Sequence, residues 1–156
     1  VTTSDGPQRS TSLVLAALGA VVFVSLIITG DAITSVLTKT DVIEIAGASP
    51  LVPVVGIAAA TAAWAVIVIR GIAKRGSIGT ATAAGVLASL AYLAGMFVAS
   101  LGSGIAAATV ATHLIMAGYV LVVLIAGVAT AAGTLALSRA SGKTPQWPWE
   151  DENGDE

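Results

Sequence analysis

The chain of 156 residues is 56% hydrophobic and 10% charged, with a formal net charge of −2 and no cysteine. A soluble domain carries about 25% charged residues, so this balance excludes an ordinary water-soluble fold. The lack of cysteine excludes disulfides, thiolate metal sites and thiol catalysis. A single His and a single Asn leave little other stock for chemistry.

Residues 1–12 are polar, with a turn signal at Asp5-Gly6-Pro7 and one cation, Arg9; a disordered cytoplasmic tail is expected. Apolar and small residues then run without a break over 13–30, a first span reaching Gly30-Asp31. Residues 32–49 mix Lys39, Asp41 and Glu44 with Val42, Ile43 and Ile45, as a short amphipathic piece at the interface would. Ser49-Pro50 offers a helix start, and a second span follows over 51–69, stopping at Arg70.

Lys74 and Arg75 make a basic loop, and Ser77 can cap a third span over 78–101. From Gly76 to Ser138 there is no Asp, Glu, Lys or Arg. That run is long enough for three crossings of a ~30 Å apolar core. Its one strong turn signal is Gly102-Ser103-Gly104; between Ile105 and Ser138 the glycines are isolated and no proline occurs, so two crossings are expected. The fourth span is placed at 112–137, and residues 139–156 form an acidic cytoplasmic tail.

Four spans put Arg9, Arg70, Lys74, Arg75, Arg139 and Lys143 on one side and Lys39 alone on the other. Lys and Arg near spans concentrate on the cytoplasmic side. The expected architecture is therefore an all-α, integral membrane four-helix bundle with both termini cytoplasmic, multi-pass in the cell (plasma) membrane. Small residues recur in four-residue steps, such as Ala91, Gly95 and Ala99, which suits close helix packing in lipid.

Asp31 and His113 are the ionisable candidates for an intramembrane site. At ~1.5 Å per residue, Asp31 lies ~27 Å along the first helix and His113 ~36 Å up the fourth from Leu137, so both fall near the outer interface. They can be a proton or cation site, or a helix-end Asp facing headgroups and a His reaching water. Trp64, six residues before Arg70, stands where interfacial rings are common. Tyr92 and Tyr119 lie deeper and need hydroxyl partners.

The tail carries Trp147-Pro148-Trp149-Glu150, followed by further acids. Prolines around two tryptophans favour an extended path. This stretch is either an interfacial anchor or a short motif docking to a partner. Pro145 to Glu150 resembles the ending of a group of small, uncharacterised four-span membrane proteins of actinobacteria. The resemblance implies a fold and a location and brings no activity. Small multidrug transporters also have four spans, but they depend on a Glu within the first, whereas 13–30 holds no acid.

There is no phosphate loop, metal-ligand cluster, nucleophile–base set or basic aromatic surface, so no enzyme activity, cofactor, metal site or nucleic-acid partner is expected. The leading expectation is a structural or accessory membrane protein. It would contact the lipid bilayer, act through helix packing and its tail, and have a membrane or cytoplasmic protein partner or a second copy of itself. The alternative is a small oligomeric transporter or ion-conducting protein using Asp31 and His113.

Overall fold

The computed structural model describes residues 6–39, 42, 49–104 and 106–140. The Trp147–Glu150 stretch, Lys143 and most of the expected interfacial piece lie outside them. All the described elements are helices: α1 (Gly6–Thr38), α2 (Leu51–Ala73), α3 (Ile78–Gly102), α4 (Ala107–Met116) and α5 (Tyr119–Ala140). Four are long and apolar enough to cross a membrane, and the fifth, α4, has only 10 residues.

α1 starts within the expected tail, with Pro7 at its second residue, where the missing N–H costs nothing. It runs on to Thr38 and does not close at residue 30. Its 33 residues are about 50 Å long, well beyond a ~30 Å apolar core. Gly30 does not end the helix because its missing side chain is used for packing against Val122. Without such a contact an internal glycine would cost roughly 1 kcal/mol against alanine. α2 begins after Pro50, where the Leu51 N–H donates to Ser49 Oγ at 3.3 Å. At the start of α3 the Ser77 N–H donates to Thr80 Oγ1 at 3.2 Å, satisfying one donor at that end.

The helices alternate in direction. α2 lies along α3, α3 along α5, and α5 along α1, which also touches α2. Thus α1 and α3 stand diagonally across the bundle. Glycines set the separations: Gly95 faces the Val55 carbonyl and the Gly56 Cα, while Gly85 faces the Leu124 carbonyl and Val128. These close approaches supply the van der Waals contact that holds helices together in lipid. At the middle of the bundle Trp64 is fully buried, stacked on Phe23 at 5.4 Å between ring centroids. Its indole N–H donates to the Gly127 carbonyl at 3.1 Å. Trp64 is therefore a core residue and not an interfacial ring.

Large apolar side chains cover the outside of all four long helices, for example Val21 and Ile28 on α1, Val54 and Val66 on α2, Leu90 and Val98 on α3, and Leu121 and Ile125 on α5. An exposed apolar surface of that extent belongs against lipid tails. One end of the bundle is basic: Arg70, Lys74 and Arg75 lie at the α2–α3 turn and Arg139 at the end of α5. There the Arg139 guanidinium donates to the Gly76 carbonyl, tying α5 to that turn.

Candidate functional site

The fourth crossing is built differently from a single span over 112–137. Gly118 adopts a φ of 86°, a left-handed conformation that ordinary L-residues avoid. Its carbonyl accepts from the Leu121 and Val122 N–H groups and starts α5, while its own N–H closes α4 on the Ile115 carbonyl. The chain therefore breaks into α4 and α5. From the Gly85–Gly127 contact, α3 rises about 25 Å to Gly102 but α5 only about 12 Å to Tyr119. α4 packs against α3 and α5, and its 10 residues supply the missing height. It buries Ala107, Val110 and Leu114 and exposes Thr109, Thr112 and Met116.

This break sits at the level of a polar layer. Gly30 lies against Val122 in the first turn of α5, which puts Asp31 beside the start of that helix. Because α1 continues, Asp31 is not at a helix end; it lies within the span, about 10 Å short of Thr38, and only 7% exposed. The first span therefore does carry an acid. From the diagonal helix α3, the fully buried Tyr92 projects toward it, its hydroxyl close to the carboxyl group. Yet Asp31 Oδ1 and Tyr92 Oη have no hydrogen-bond partner. Buried polar groups are rarely left so, since each costs roughly 1–3 kcal/mol.

Tyr119, also fully buried, acts electrostatically on Tyr92 from the first residue of α5. His113 packs its ring against Tyr119 at 6.1 Å between centroids. Asp31, Tyr92, His113 and Tyr119, contributed by four different helices, thus lie toward the same end of the bundle. On the outer side of α4, Ala108, Thr109, Thr112 and His113 line an open cavity of about 440 Å³. The N-terminal end of α5, the positive end of its dipole, lies at the height of Asp31.

Below the layer no described interior residue is a group of that kind. The buried hydroxyls of Ser89, Thr130 and Thr134 each donate to a carbonyl one turn earlier in their own helix, as does that of Ser100 on the outer side of the layer. Thr61 and Thr82 do the same. Among the described residues no three His, Asp or Glu side chains come together as a metal site.

Tyr92 and Tyr119 were expected to need hydroxyl partners, but no counting along a single helix could reveal Asp31 beside Tyr92. The signal for it is Gly30: a glycine that lets α1 approach α5 and so draws the next residue inside.

These features define a four-span helical membrane protein with a buried acid–tyrosine layer at a broken helix. The chain belongs to the family of unknown function DUF6121, which it matches over residues 7–156. No curated protein and no solved structure matches it.

Proposed function

We propose that this is a small ion-handling membrane protein, a transporter or ion-conducting protein, with Asp31 as its central group and His113 at its outer mouth. The observation that carries this reading is the nine-tenths buried side chain of Asp31, whose Oδ1 has no hydrogen-bond partner, facing the buried Tyr92 hydroxyl, which has none either. Ionisable groups inside a span are costly and mark ion or proton pathways. A helix broken at the level of such a group is the arrangement by which spans present backbone ends to ions. The protein works at the cell membrane, as an oligomer or with a partner chain, and is not an enzyme.

The full chain reconstituted in vesicles tests this. A pH gradient with a potassium diffusion potential should drive ion movement above that of empty vesicles. Asp31→Asn should abolish it and His113→Ala should slow it. Wild-type flux equal to empty vesicles would end the proposal.

The composition of the tail favours a second reading, a structural or accessory protein docking a partner through Trp147, Pro148, Trp149 and Glu150. The family match extends through this tail. Under that reading, truncation after Pro145 removes co-purifying proteins and leaves vesicle flux at background.

A further inference from the structure

We propose that the ion held at Asp31 is a proton and not a metal cation, with Tyr92 as the partner of the carboxyl group in both its charged and neutral forms. This rests on the ion-handling reading and names its substrate.

Ligand supply decides between the two classes of ion. Hard metal cations take about six or more oxygen ligands. Among the described residues the layer offers the two oxygens of Asp31 and the phenols of Tyr92 and Tyr119, with the half-buried hydroxyls of Thr34 and Ser35 one turn further along α1. No Asn or Gln lies in any span, since Gln8, Gln146 and Asn153 are the chain's only ones. The nearest buried hydroxyls are already committed to their own helices, Ser89 to the Gly85 carbonyl at 2.9 Å and Ser100 to the Met96 carbonyl at 2.7 Å. Val122, Val123 and Ile27 add hydrocarbon to the neighbourhood. A proton needs one oxygen.

The same two side chains suit each protonation state. An ionised Asp31 accepts from the Tyr92 hydroxyl. When a hydronium ion gives up a proton to a carboxylate oxygen, water leaves, and the resulting neutral carboxyl donates to the Tyr92 oxygen. Among the described residues the titratable group facing Asp31 is Tyr92 from α3, with Tyr119 of α5 near Tyr92 and His113 of α4 against Tyr119. α2 contributes none at this level, its only titratable side chain being Arg70 at the basic end.

Access is from the α4 side. Toward the basic end the axis is closed by Phe23, Trp64 and Val68, all fully buried, whereas on the α4 side Ala108, Thr109, Thr112 and His113 line an open surface groove. His113 and Tyr119, their rings 6.1 Å apart between centroids, stand on the α4 side of the layer, where polar side chains of a membrane protein mark proton pathways.

Infrared difference spectroscopy of the full chain in lipid, titrated over pH, reads the proton directly. Wild type should show a buried protonated-carboxyl band that disappears as pH rises. Asp31→Asn should lose it. Asp31→Glu should keep it at a shifted position, which separates loss of the group from loss of fold. Tyr92→Phe should move it to the higher frequency of a carboxyl without a hydrogen bond. A titrating band that survives in Asp31→Asn, or none in wild type, overturns the assignment. So does Asp31-dependent sodium uptake at constant pH, an outcome that leaves the ion-handling reading intact. If the band titrates but the vesicles show no Asp31-dependent flux, the proton site stands and the ion-handling reading fails.

Discussion

Glycine contacts show how finely single residues set this bundle. A methyl group on Gly85 would stand 2.8 Å from the Leu124 carbonyl oxygen and 3.0 Å from the Val128 nitrogen, and one on Gly127 would stand 2.8 Å from the Gly85 Cα. These are backbone atoms, which cannot rotate aside. Replacing a helical glycine with alanine gains up to about 1 kcal/mol of propensity, but overpacking costs about 1–3 kcal/mol. The clash should therefore win: Gly85→Ala and Gly127→Ala lower the stability of the purified protein in denaturant titration. Gly133→Ala is the control, because nothing lies within 4 Å of an added methyl there. It should be neutral or stabilising. A destabilisation equal to that of Gly127→Ala would mean the α3–α5 contact is not where the structure puts it.

At the scale of the element, the break between α4 and α5 turns on Gly118. Its φ of 86° would cost a residue with a side chain about 1–2 kcal/mol. Gly118→Ala should lose about that much stability, and Gly118→Asn less, since Asn tolerates the left-handed region better. Gly102→Ala, with open space around it and no positive φ, should have little effect. Because Gly118 positions Tyr119, Gly118→Ala should also lower the Asp31-dependent flux, with thermal unfolding and the vesicle assay read side by side.

This element also marks the limit of reading the chain as a string. Four long apolar helices were legible because hydropathy and charge are local and lipid penalises exceptions. The capping of α3 at Ser77 and the turn after Gly102 were legible for the same reason. The break was not, since an isolated glycine in an apolar run is usually a packing device, as Gly85 is, and only a neighbouring helix decides which role it takes. Likewise, Asp31 was a readable intramembrane candidate, but its depth was not. The chain near Gly30-Asp31 has the look of a helix end, and α1 continues because Gly30 packs on Val122. Pairing of Asp31 with Tyr92 joins helices that are diagonal in the bundle, a relation that no sequence spacing encodes.

For the whole molecule, the remaining question of orientation connects charge to the depth of the site. Arg70, Lys74, Arg75 and Arg139 share one end, and Lys39 stands at the other. Such a bias predicts a cytoplasmic basic end. Measured from Ile78 along α3, Tyr92 lies about 21 Å from that end, still inside a ~30 Å apolar core but in its outer half. The acid layer would then face the outside through α4, across the shorter part of the membrane. The chain has no cysteine, so single replacements report sidedness without a background. Thr109 on α4 and Ala140 at the end of α5 are both exposed and lie toward opposite ends. In intact cells an impermeant maleimide should label Thr109→Cys, while Ala140→Cys should react only after permeabilisation. The reverse pattern would turn the molecule over and make the same acid layer accessible from the cytoplasm. Equal labelling of both would mean that the charge bias is too weak to set a single orientation, and that copies insert both ways.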